Sequence, residues 1–170
     1  PANKIYTVHR LDRETAGVVL ISKCVESRGI YQQMFATRQV QKTYHAIAAY
    51  HPDLKFPLIT RLRMEKGQPF YTMHVLDGTP NSETVIDLLK HNTEWAKYEL
   101  KPHTGKQHQL RVHLNHLGIP IQHDPFYPQV AHKAEDDFSA PLSLLAKHIQ
   151  FVDPITQKSM NFSSHLELTL

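Results

Sequence analysis

The chain is poor in cysteine, glycine and tryptophan, with one Cys, six Gly and one Trp in 170 residues. A single cysteine, Cys24, excludes an internal disulfide framework, and the simplest reading is a reducing, intracellular home with Cys24 as a small buried hydrophobe. No apolar run approaches the roughly 20 residues that a membrane-spanning helix requires. The opening residues PANKIYTVHR lack the pattern of a signal or transit peptide, so a cytoplasmic location is expected. Internal repeats, low-complexity tracts and linkers are also missing, which predicts one globular domain over residues 1–170.

What is plentiful is basic charge at one end and histidine throughout. Residues 1–50 hold seven basic and three acidic side chains, for +4, while the rest of the chain comes to −1, so the whole surplus behind the net charge of +3 lies in that stretch. A phosphate-facing surface is expected in that opening third. The 13 histidines are scattered. His103, His108, His113 and His116 invite a zinc reading, but His108 and His113 are five apart and fall on different faces of a helix, so no metal is expected.

Two short β-branched stretches, 5–8 and 18–22, flank the polar segment HRLDRETAG (9–17) and read as strand, loop, strand. Ile30, Met34 and Phe35 suit a helix over about 25–38. A strand follows at 42–50. Segments 58–65, 70–76, 82–90 and 95–101 read as a run of antiparallel hairpins separated by turn residues. Leu110, Leu114 and Leu117 predict an amphipathic helix over 107–118 with Gly118 closing it. Residues 119–142 read as loop, and 143–154 with 158–164 as a last strand pair. The expected class is α+β, a mixed and mostly antiparallel sheet with flanking helices.

In the loop, Asp12 stands between Arg10 and Arg13 with Glu14 close by. Guanidinium neighbours favour an ionised carboxylate, as a nucleophile or base requires, but from these residues alone a solvated, salt-bridged turn is the preferred reading, since charged turns are common.

The combination of segments says more. HRLDRETAG (9–17), KTYHA (42–46), LKPHTGKQHQLRVHL (100–114) and LGIPIQHDPFY (117–127) occur in the order of the signature blocks of the RluA-like pseudouridine synthases, and LLAKHIQFVDPITQKSMNF is similar to that family's last hairpin. The resemblance implies a cofactor-free isomerase that breaks the bond between uracil N1 and ribose C1′ in ribosomal or transfer RNA, turns the base and rejoins it through C5. Asp12 falls on the family's catalytic aspartate, acting at C1′ or on the 2′ proton. Tyr44 falls on the tyrosine that packs on the base and is placed to take the C5 proton, a role that needs a favourable local field because a free phenol titrates near 10. Arg111 falls on the arginine that pairs with the aspartate. Arg10 corresponds to the residue that enters the space left by the extruded base. Arg13, Lys42 and Lys106, with Lys4, Arg28 and Arg38, are expected at the RNA backbone, and His108 falls on the position that supports the turn beside the RNA. His9 is expected to orient the loop.

The chain departs from the family pattern at Ala16 (serine more often), Lys106 (arginine), His123 (glycine before the aspartate) and Leu145 (histidine). The strands that precede HRLD in relatives, and an S4-type RNA-binding domain, are missing from the sequence, so a truncated catalytic domain, monomeric and without metal or membrane association, is expected. Two rivals remain: an RNA-binding domain with reduced or lost activity, and a hydrolase using the same acid, which the lack of a second well-placed carboxylate disfavours.

Overall fold

The computed structural model describes residues 4–134 and 136–170. In chain order the elements are β1 (Tyr6–Thr7), β2 (Ala16–Gly17), β3 (Ile21–Ser22), α1 (Val25–Ala36), β4 (Gln41–Ala49), β5 (Leu58–Lys66), β6 (Met73–Leu76), β7 (Ser82–His91), β8 (Trp95–Pro102), α2 (Gln109–His116), β9 (Leu144–Val152) and β10 (Ser159–Ser163). The main sheet runs β10-β9-β4-β8-β7-β5-β6. Every pair along it is antiparallel. Strand β2 adds a parallel pairing with β9, which makes the sheet mixed as expected. The hairpin series is corrected in one place. Strand β5 is long enough to serve two partners, β7 along 58–62 and β6 along 63–66, so β6 and β7 are not paired to each other. Strand β6 also starts later than expected, because 67–72 forms a tight turn.

Strand β4 is central and buries three consecutive residues, Ala46, Ile47 and Ala48, because both of its faces are covered. Helix α2 departs from the amphipathic expectation in the same way. All of Gln109 to Leu114 is buried, and each polar member is paired: Gln109 with Thr84, Arg111 with Asp124, His113 with Ser82. Its end follows the expected glycine closure. Gly118, at φ +76°, donates to the carbonyl of Asn115 and Ile119 donates to that of Leu114, the paired bonds of a Schellman motif. Cys24 is exposed rather than buried, and its thiol donates to Glu26 Oε2 at 2.9 Å.

Two features of β9 position the loop that holds Asp12. A register shift opposite Thr43 and Tyr44 leaves Lys147 as the extra residue of a bulge, a device that redirects neighbouring side chains. On the other edge of β9, Gly17 pairs with Ala146, the residue that Tyr44 also faces. The carboxylate loop and the tyrosine are thereby drawn to one end of the sheet. Gly17 sits at φ +114°, and a Cβ there would fall 2.2 Å from the carbonyl oxygen of Ala146. Gly17→Ala therefore has to push β2 off β9. We expect it to cost about 2–4 kcal/mol, through strain and a broken backbone pairing. Urea denaturation measures this, and an unchanged midpoint would refute the close approach.

Candidate active site

The HRLDRE loop is held at both ends by local hydrogen bonds. The amide of Leu20 donates to His9 Nε2 at 2.9 Å, and the His9 ring stacks on Phe35 at 4.2 Å. Burial, and then the charge of Lys42, push His9 down to about 4, so it is neutral and serves as a loop anchor. Glu14 is nearly enclosed. It accepts from Lys133 Nζ at 2.8 Å and from the amide of Leu142 at 3.1 Å, tying the loop to the segment before β9. Between these anchors the amide of Thr15 closes a turn on the Asp12 carbonyl.

Arg10, Asp12, Lys42, Tyr44, Lys106, His108 and Arg111 then line one cleft of about 290 Å³, a volume on the scale of one nucleoside. Of the residues expected at the RNA, Lys4, Arg28 and Arg38 do not line this cleft, and neither does Arg13. It lines a second cavity that shares Arg10, Asp12 and Arg111 with the first. Its guanidinium reaches towards the carbonyl of Ala134 and lies 5.5 Å from the Phe138 ring.

The ion pair at the base of the cleft is a three-residue arrangement rather than a simple pair. Arg111 donates from Nε to Asp124 Oδ2 at 2.9 Å and from Nη2 to Asp124 Oδ1 at 2.6 Å, a two-point grip. Its remaining Nη1 reaches Asp12 Oδ2 at 3.4 Å. Asp124 has no exposed side chain and also accepts from the amides of Phe126 and Tyr127, whereas Asp12 keeps 22% of its side chain open to the cleft. Burial alone would pull Arg111 down, but the bonds and charge of Asp124, with the charge of Asp12, hold it above the ordinary guanidinium value. A fixed cation is thus presented to an accessible carboxylate. Asp124 was not assigned from the sequence, although IQHDPFY contained its signal: an Asp followed by residues whose amides it can cap. Before it, His123 adopts φ +61°, a left-handed conformation that explains why glycine is usual there.

The turn opposite is built from Gln109, also unassigned from the sequence. Its Oε1 accepts from Thr104 Oγ1 and the amide of Lys106, while Nε2 donates to the Glu83 carbonyl. His108 adopts φ 52° at the head of α2, and its Nδ1 lies 2.9 Å from the Tyr127 hydroxyl. That hydroxyl also accepts from the amide of Met73. Burial and then the Arg111 charge push His108 below its ordinary value. Of the other histidines weighed for zinc, His103 pairs with Glu83 and His113 with Ser82, each turned to a separate partner. Among the described residues no group of three or more His, Cys, Asp or Glu is arranged to hold a metal ion.

Tyr44 is mostly enclosed, and burial followed by the Asp12 charge pushes its phenol up to about 12. Both causes disfavour the phenolate form. Burial lowers Lys42, which makes no ion pair among the described residues.

A mixed sheet whose one end carries a cleft with an open carboxylate on a buried arginine, rimmed by basic groups, is a geometry suited to carboxylate chemistry on a polyanion. Comparison with known proteins gives the family. The profile of the RNA pseudouridylate synthase family matches residues 2–116. The ribosomal large subunit pseudouridine synthase C of Vibrio cholerae is 31% identical over 168 residues, covering 96% of this chain and 52% of that protein. The dual-specificity RNA pseudouridine synthase RluA of Pasteurella multocida is 32% identical over 170 residues, covering 92% and 71%. The chain belongs to the RNA pseudouridine synthase family, in its RluA-like branch. Human RNA Pseudouridylate Synthase Domain Containing 1 shares the fold, with a TM-score of 0.79 at 24% identity over 95% of this chain and 69% of that one. The chain spans about half the length of the Vibrio cholerae relative. No helix among the described residues is long and apolar enough to cross a membrane.

Proposed function

We propose that this chain is the catalytic domain of an RNA pseudouridine synthase and that it isomerises uridines in ribosomal or transfer RNA without a cofactor. The observation that carries this reading is the accessible Asp12 carboxylate against Arg111, in a nucleoside-sized cleft with a basic rim. A uridine extruded from its stack, at a cost of a few kcal/mol, presents its sugar to that carboxylate while Arg10 occupies the gap it leaves. Asp12 either attacks C1′, forming an O–C1′ bond as the N1–C1′ bond breaks, or removes the 2′ proton to expel the base; both routes need an ionised oxygen aimed at the sugar. The uracil turns within the cleft and C5 bonds to C1′. The C5 proton must then leave. Asp12, free again as a carboxylate, is the better acceptor, because a phenol pushed up to about 12 is seldom ionised at neutral pH. Tyr44 then acts by packing on the base, while Lys42, Lys106 and Arg13 meet phosphates and His108 braces the cleft wall.

The test is release of tritium from transcripts labelled at uridine C5, with ribosomal and transfer RNA as substrates. Steady release together with mapped pseudouridine supports the reading, and none from either RNA defeats it. A packing role for the tyrosine gives a further expectation. Tyr44→Phe keeps the ring and loses the hydroxyl, so turnover stays within about tenfold of the parent, whereas loss of a working proton acceptor costs about 10²–10⁴-fold. A loss in the larger range assigns the proton to Tyr44 after all.

A further inference from the structure

The turn between β5 and β6 carries the most exposed large apolar side chain among the described residues, Phe70 at 74%, followed by Tyr71 at 37%. Such exposure on a loose loop would mean little, but this turn is fastened. Gly67 donates to the Thr72 carbonyl at 2.9 Å, and the Thr72 amide and hydroxyl both donate to the Pro69 carbonyl. It is also tied to the active-site turn, since Gln107 Nε2 donates to the Tyr71 carbonyl at 3.2 Å and the next amide, of Met73, donates to Tyr127. The rings continue inward. Phe70 meets Tyr71 edge-on at 5.6 Å, Tyr71 meets Phe126 at 5.3 Å, and Phe126 lies 4.8 Å beneath the Arg111 guanidinium. A continuous chain of aromatic contacts therefore runs from the ion pair to solvent.

Tyr71 and Phe126 line the second cavity, about 260 Å³ in volume, together with Arg10, Arg13 and Asp12. Arg10 makes no ion pair among the described residues. An occupant of this limb must offer a flat π face to the rings and negative charge to the guanidinium groups. An unpaired nucleotide offers both, whereas an apolar protein segment would leave the charges unmatched. We propose that Phe70 and Tyr71 form a stacking platform for the unpaired nucleotide next to the extruded uridine, which makes the site selective for RNA with unpaired bases around its target. The proposal rests on the RNA-modifying reading of the cleft.

The test uses a fluorescein-labelled RNA hairpin with a seven-uridine loop, and anisotropy titration against the parent chain and Phe70→Ala, Phe70→Leu and Phe70→Trp. Base–aromatic stacking is worth about 1–3 kcal/mol per base, so Phe70→Ala should weaken binding by about tenfold, Phe70→Leu should fail to restore it and Phe70→Trp should restore it. 2-Aminopurine placed in the loop should be quenched by the parent and by Phe70→Trp but not by Phe70→Ala. Thermal melts by circular dichroism should coincide for all four, since the side chain is in solvent. Equal binding by Phe70→Ala, full rescue by Phe70→Leu, or no binding of the hairpin by the parent would each overturn the platform. Tritium release separates the two ideas. A parent that turns over RNA but is indifferent at Phe70 removes the platform alone; a parent that turns over none, yet binds with this dependence on Phe70, removes the enzymatic reading alone.

Discussion

Asp12→Asn is expected to lower tritium release from C5-labelled RNA by about 10⁴-fold or more, the scale on which removal of a nucleophile or essential base is felt. The same variant should leave RNA affinity within about threefold and the melting temperature unchanged. The separation follows from the arrangement around Arg111. The guanidinium is satisfied by the two-point grip of Asp124, at 2.6 and 2.9 Å, while Asp12 contributes one longer contact of 3.4 Å from a partly open position. An amide at position 12 keeps the shape and a hydrogen-bond acceptor for that contact. What it loses is the ionised oxygen, which only the chemical step requires. Turnover by Asp12→Asn within tenfold of the parent would remove Asp12 from the reaction.

Asp124→Ala should behave in the opposite way, failing first in folding. Arg111 exposes 4% of its side chain and Asp124 none, so truncating the acid strands a guanidinium in the interior and also removes the acceptor for the amides of Phe126 and Tyr127. Breaking a buried pair by removing one partner costs about 3–5 kcal/mol. In a domain of this size that lowers the melting temperature by roughly 10 °C or more, measurable by circular dichroism. Replacing both partners, in Asp124→Ala with Arg111→Leu, should recover part of the loss because no charge is then left alone, although activity stays absent. A melting temperature for Asp124→Ala within about 2 °C of the parent would show that the grip is not structural.

Much of the fold was legible because its signals are local. The strand-like composition of 82–90 and the turn residues on either side mark β7, which spans Ser82–His91. Gly118 was readable as a helix closure, since few other residues accept its backbone conformation. The pairing of β5 with two strands was not readable. Turn residues mark where a strand ends but not which edge it joins, and β5 pairs with β7 over its first half and β6 over its second.

The candidate site divides along the same line. Asp12, Tyr44 and Arg111 stand in contiguous motifs, and the cleft gathers all three. Asp124, Gln109 and Tyr127 matter as much to the geometry, but the partners that bring them to the site, Arg111, Glu83 and Met73, lie 13, 26 and 54 positions away, and the only local mark was the capping of following amides by Asp124. Arg13 adjoins Asp12 in sequence, but adjacency does not set direction, and the turn sends its side chain to the second cavity rather than to the cleft that holds Tyr44.

The order of residues alone settled which side chains the chain offers and which short stretches become strand, helix or turn, because propensity, alternation and turn chemistry act over a few neighbours. Tertiary structure alone decided that Arg111 is gripped by Asp124 while Asp12 is left accessible, and that Tyr44 is enclosed beside the Asp12 charge. Those outcomes depend on burial and on charges brought together from distant positions, and the removal of water that strengthens them exists only once the sheet has closed around the cleft.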